Sequence, residues 1–173
     1  MMRPTTNPTA SLAPYFFQVA YVMDDVAAGA RWFQATMGVP HFERLDNVTF
    51  GPGCRFRGGP ADSAAHLALG FAGDVQIELI EPAGGRSIYQ EFLDAGHRGL
   101  HHVAFLVPDF AATTAGLAAQ GLACVTEGVM EGGMRVEFAY FDASPHASSI
   151  IEILGFDEAA HAFMAGLKRK GRP

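Results

Sequence analysis

The chain has 173 residues, 49% of them hydrophobic and 17% charged, with a formal net charge of -6. That length and apolar content suit one domain, or two small modules sharing a core, and exclude a disordered chain. The negative balance excludes nucleic acid and anionic membrane surfaces as expected partners, and no apolar run approaches a membrane span.

Residues 1–14 hold one Arg among scattered Pro and Thr, and read as a flexible tail rather than a signal peptide. The only cysteines, Cys54 and Cys124, stand apart from each other and from any His at ligand spacing, which suits unpaired thiols in a reducing cytoplasm.

A strand is expected from Tyr15 to Val22, then a helix capped by Asp25, with Ala30, Phe33 and Met37 on its inner face and Gly38 at its end. Strands follow at His41 to Phe50 and Ala65 to Phe71, separated by the turn-rich run Gly51 to Ser63. A further strand around Glu78 closes a first βαβββ module, residues 15–82, at Pro82. Residues 83–98 form a connector, in which Ser87 and Gln90 match a capping box and Ile88, Phe92 and Leu93 make an apolar stripe.

The first order then returns over residues 99–156. A strand from Leu100 to Val107 leads to a cap at Asp109 and a helix with Phe110, Thr114 and Leu117 inward, ending at Gly121. Strands near Ala123 to Gly128, Arg135 to Phe141 and Ser148 to Leu154 complete a second βαβββ module. Residues 157–173 hold a terminal helix, Glu158 to Leu167, and a basic tail. The fold class is therefore α+β: two tandem modules forming a curved mixed sheet, a cup, with helices on its outer face.

The duplication is informative at four positions. Gln18-Val19-Ala20-Tyr21-Val22 lies over His102-Val103-Ala104-Phe105-Leu106, and Val75-Gln76-Ile77-Glu78-Leu79-Ile80 resembles Ser149-Ile150-Ile151-Glu152-Ile153-Leu154. Strand parity puts Val19, Tyr21, Ile77, Leu79, Val103, Phe105, Ile151 and Ile153 beneath the helices. Gln18, Glu78, His102 and Glu152 take the opposite parity, whereas His101 is expected to point toward the helix side or the sheet edge.

A lone Glu in a strand is usually solvated and a lone Gln is usually a hydrogen-bonded core residue. Four such residues at matched slots in both halves point instead to a ligand shell. Two inward carboxylates repel each other unless a cation or a shared proton intervenes. A shell of one imidazole and three oxygens accepts Zn²⁺ best, with Ni²⁺, Co²⁺ or Mn²⁺ as alternatives.

These residues resemble the vicinal oxygen chelate superfamily, which contains glyoxalase I, methylmalonyl-CoA epimerase, extradiol dioxygenases and bleomycin resistance proteins. The resemblance runs roughly from Phe16 to Phe156 and is clearest at 75–82, at Gly99-Leu100-His101-His102-Val103 and at Ile150-Ile151-Glu152-Ile153-Leu154. It implies that Gln18, Glu78, His102 and Glu152 hold a divalent metal beside which Glu152, with Glu78 as its counterpart, carries a proton to or from carbon. The order Gln, Glu, His, Glu resembles zinc-type glyoxalase I, while Ser87 to Leu93 before Gly99 looks like the epimerase branch.

The resemblance implies a lyase or isomerase acting next to a carbonyl on a glutathione hemithioacetal, an acyl-CoA or another vicinal-oxygen compound. An acyl-CoA epimerase and a non-catalytic binding or resistance protein are the alternatives. Glu43, Arg55, Arg57, His66 and His146 are weaker candidates for substrate contact. Exposed sheet edges make a homodimer the default assembly.

Overall fold

The computed structural model describes residues 11–50, 52–144 and 149–171. Most of the expected tail, residues 1–10, and His146 lie outside the described residues. The chain enters through a 3-10 turn, Ala13–Tyr15, and forms β1 (Phe16–Val22), α1 (Val26–Met37), β2 (Phe42–Thr49), β3 (Arg55–Phe56), β4 (Gly59–Pro60), β5 (Ala64–Ala72) and β6 (Val75–Gly84). Helix α2 (Ile88–Asp94) leads to β7 (Gly99–Leu106), α3 (Phe110–Ala119), β8 (Ala123–Glu131), β9 (Arg135–Asp142), β10 (Ile150–Phe156) and α4 (Glu158–Lys170). No helix among the described residues is long and apolar enough to cross a membrane.

Each helix starts at a side-chain cap. Asp25, Ser87, Asp109 and Asp157 accept from the backbone N–H groups of Ala28, Gln90, Ala112 and Ala160, so each satisfies an otherwise orphaned donor of the first turn. Gly38 closes α1 in the left-handed region, with φ 70°, where a Cβ would strain the backbone.

Among the described residues, one mixed sheet of ten strands runs in the order β2-β5-β6-β1-β7-β10-β9-β8-β3-β4. The two halves meet where β1 and β7 pair antiparallel, Val19 opposite Val103. β6 lies parallel to β1 on one side and β10 parallel to β7 on the other. The first and last strands of each half are therefore the four central strands, which is why one residue from each can reach a common point.

α1 packs on the convex face, where Val26 and Phe33 bury against Ile77 and Leu79. α3 packs on the same side of the second half, with Leu117 against Phe141 and Ile153. Met37, expected on the inner face of α1, is exposed instead. α2 and α4 line the concave side: Tyr89 of α2 packs beside Ala20, Ile80 and Leu154, and Leu167 of α4 buries against Leu69 and Phe71.

The run between β2 and β5 departs most from expectation. Its short strand β3 crosses to the second half and pairs with β8, Phe56 opposite Thr126. The strap lies close because Gly128 on β8 offers no side chain: a Cβ there would lie 2.9 Å from Cys54 Cα. A two-residue strand carries no periodicity, so the sequence reads only as turn.

Candidate metal centre in the cup

Glu78, His102 and Glu152 come from β6, β7 and β10 and cluster within one chain, and Gln18 of β1 lines the same cup as the two carboxylates. The relative exposures of Gln18, Glu78, His102 and Glu152 are 4%, 8%, 1% and 4%, so all four polar groups have left water. One ligand atom from each of Glu78, His102 and Glu152 lies within 4.8 Å of the others. His102 Nε2 stands 3.2 Å from Glu152 Oε2 and 3.6 Å from Glu78 Oε2.

These atoms are close but not satisfied. Among the described residues, the buried side-chain atoms without a hydrogen bond are Gln18 Oε1, His102 Nε2, Glu152 Oε2 and Thr126 Oγ1, and three of them belong to this cluster. An unsatisfied buried group costs roughly 1–3 kcal/mol, so three in one cluster mark a place suited to a ligand. One imidazole nitrogen and two carboxylates, with an amide oxygen in the same cup, are donors of the kind that zinc or a neighbouring transition metal accepts. The residues present fit the group.

Titration points the same way. Burial alone would depress His102, but the adjoining carboxylates of Glu152 and Glu78 outweigh it and raise the ring to about 9. Burial raises Glu78, and the charge of Glu152 adds to that against the opposing pull of His102. Without an ion, the cluster therefore retains a proton among its imidazole and carboxylates.

The supporting shell contains residues that the sequence did not single out. Gln76 sits opposite Gln18 in the β1–β6 ladder and accepts from Gln18 Nε2 at 2.7 Å, which leaves Gln18 Oε1 as the unpartnered atom. Gln76 Nε2 in turn donates to Met164 Sδ of α4 at 3.1 Å. Tyr89 stacks on the His102 ring, and its hydroxyl lies 2.7 Å from that of Tyr140. Burial and the neighbouring Glu charges hold both phenols well above their usual range, so both stay neutral. Parity within β9, where Tyr140 lies opposite Glu152, was the available signal for Tyr140. Tyr89 sits on a helix, and nothing in its spacing separated it from its neighbours.

His101 does not follow strand parity. The β1–β7 register slips between Ala20 and Tyr21, which face His102 and Leu100, so β7 bulges at His101 and re-aims the ring. His101 packs against Tyr89 and Phe92 of α2 and places its Nδ1 2.9 Å from His102 Nδ1. Burial, then the charge of His102, pushes His101 down to about 3, so it is neutral and accepts from His102 Nδ1–H. That contact turns Nε2 toward the two carboxylates as the ligating nitrogen. Replacing His101 with Phe is expected to weaken zinc affinity about 10–100-fold, with His101→Asn recovering part of it, as read by chelator competition. An unchanged affinity in the Phe variant would remove His101 from this role.

The remaining candidates stand away from the cavity wall. Glu43 binds Lys170 at 2.8 Å and His41 at 3.4 Å, pinning α4 rather than facing a substrate. Arg57 forms a two-pronged pair with Glu91 of α2, and Arg55 donates to the Gly58 carbonyl within its own turn. His66 pairs with Asp46 at 2.9 Å and has the parity opposite to Leu67 and Leu69, which line the cup. In each case the sequence showed a polar residue but not the partner that occupies it.

Comparisons with known proteins agree with this architecture. The profile of the Glyoxalase/Bleomycin resistance protein/Dioxygenase superfamily matches residues 17–140. No curated protein matches the sequence. The fold is similar to methylmalonyl-CoA epimerase of Streptomyces coelicolor (TM-score 0.62, 19% identity, 84% of this chain and 96% of that one). It is similar also to the Mycobacterium tuberculosis epimerase (TM-score 0.61, 20% identity, 94% and 97% of the two chains). A hypothetical protein from Bacillus halodurans C-125 shares the fold at TM-score 0.61 and 14% identity, over 83% of this chain and 94% of that one. With the family profile covering most of its length, this chain belongs to the glyoxalase/bleomycin resistance protein/dioxygenase superfamily.

Proposed function

We propose that this chain is a divalent-metal-dependent lyase or isomerase of the glyoxalase type that moves a proton at a carbon next to a carbonyl. The observation that supports it is the cluster of Glu78, His102 and Glu152, with Gln18 in the same cup and Gln18 Oε1, His102 Nε2 and Glu152 Oε2 buried without a hydrogen bond. Gln18, Glu78, His102 and Glu152 hold the ion in this reading. Zinc is the first choice, with nickel, cobalt and manganese compatible with the same donors. When bound, the ion supplies Lewis-acid stabilisation of negative charge on a substrate oxygen.

The chain's own groups handle the proton. Glu152 takes it from carbon, and burial strips its carboxylate of the water that would otherwise compete. Glu78 faces the same point from the other module and is the group able to return it. The Tyr89–Tyr140 pair uses one of its two hydroxyl protons internally, leaving the second to donate to a substrate oxygen.

Return of the proton to the neighbouring carbon makes a glyoxalase, and return to the opposite face of the same carbon makes an epimerase. The epimerases among the similar structures favour the second course as the alternative. The decisive assay follows solvent deuterium entering an α-oxygenated carbonyl compound by NMR. Exchange that requires stoichiometric metal and stops with chelator is expected. Tight binding with no exchange under any metal would make the chain a binding protein instead.

A further inference from the structure

We propose that the substrate is an uncharged α-oxygenated ketone or aldehyde with an apolar, ring-bearing arm, and neither a coenzyme A thioester nor a glutathione adduct. This rests on the proton-transfer reading above and specifies its substrate. The cup encloses a cavity of about 460 Å³, within the range that holds a drug-sized molecule. Its polar lining residues are Gln18, Gln76, Glu78, Glu152 and the two tyrosines, together with Arg44 and Asp46 of β2 and Glu131 of β8.

The rest of the wall is hydrocarbon. Phe50, Phe138, Phe156 and Phe163 present rings to the cavity, and Phe50 meets Phe138 edge to face at 5.5 Å. Met130 and Met134 at the β8–β9 turn add flexible thioethers that adapt to a planar ring. Phe163 and Met164 belong to α4, which is held over the cup by Lys168 on Asp74 at 2.7 Å and by Lys170 on Glu43 at 2.8 Å. This apolar cover is thus built into the fold.

Charge excludes the alternatives. Among the described residues lining the cavity, Arg44 is the sole cation, and its guanidinium already meets Asp46 at 2.8 Å. Glu131 is paired with Arg135, and a divalent ion balances Glu78 and Glu152, so the loaded wall carries no surplus positive charge. Nearby, Arg57 is committed to Glu91, and Arg135 to Glu131 and Glu137. Neither the phosphates of coenzyme A nor the carboxylates of glutathione find an uncommitted cationic side chain in that wall.

Benzoin is a suitable probe: a neutral ketone with an adjacent hydroxyl and a phenyl ring on each side. Calorimetry on the zinc-loaded and the metal-free protein should show benzoin binding at least tenfold more tightly than its para-carboxylated analogue, isobutyryl-CoA or S-lactoylglutathione. Met134→Lys, a change at the partly exposed end of the wall, should shift the preference toward the carboxylated analogue at least tenfold. Tighter binding of either thioester than of benzoin, or an unchanged ratio in Met134→Lys, overturns the assignment. NMR of the benzoin methine in deuterated solvent separates the two layers of the argument. Benzoin that binds without exchanging keeps the substrate class and sinks the proton-transfer reading. Exchange seen only on the thioesters does the reverse.

Discussion

Changing Glu152 to Gln is expected to lower turnover by about 10²–10⁴-fold while one divalent ion per chain stays bound. The amide keeps the volume of the carboxylate and an oxygen donor, so a ligand of the Gln18 kind remains at the position. It loses the capacity to accept a proton from carbon. Glu152 is 4% exposed, and its Oε2 is the carboxylate oxygen nearest His102. The measurement is kcat alongside metal content. A loss confined to metal affinity, with kcat retained once metal is restored, would leave Glu152 as a ligand only and move the base to Glu78.

Zinc affinity of the metal-free protein is expected to climb with pH between about 6.5 and 9, by on the order of tenfold per unit for each proton released. The His102 pKa is raised from 6.5 to about 9 in the folded chain, so over that window the ring is charged and must lose its proton to bind. The sign for stability follows. A raised histidine contributes stability fully below its unfolded value, and this is lost as pH rises through the folded value. Glu78, also raised, shifts stability in the same direction. Metal-free protein should therefore melt at progressively lower temperature from near neutrality to alkaline pH, and added zinc should reverse the trend. His102→Ala should remove the His102 share of the pH slope, leave that of Glu78, and abolish stoichiometric binding. A flat affinity from pH 6.5 to 9 would mean that His102 is neutral without metal.

Much of the fold was legible because duplication doubled every signal. Each half shows a capped helix after a strand and one polar residue in an apolar strand, and the paired positions turn out to occupy the four central strands. What escaped the sequence depends on contacts between distant segments. The strap of β3 and β4 is held by β8, far along the chain, and so left no local pattern. α4 reads as an ordinary amphipathic helix, and only its contacts with Leu69, Phe71 and Gln76 place it over the cup. His101 defeated strand parity because one slipped residue in the β1–β7 ladder changes which way a side chain faces. The charged candidates Glu43, Arg57 and His66 each meet an opposite charge from a distant segment or strand neighbour, which a sequence shows as a residue but not as a contact.

The account stands or falls on where a cation binds. Crystals of the zinc-loaded protein, measured on both sides of the zinc absorption edge, should give one anomalous peak per chain within coordination distance of Gln18 Oε1, His102 Nε2 and the Glu78 and Glu152 carboxylates. A peak elsewhere, or a well-ordered cup with no peak at saturating zinc, would contradict it.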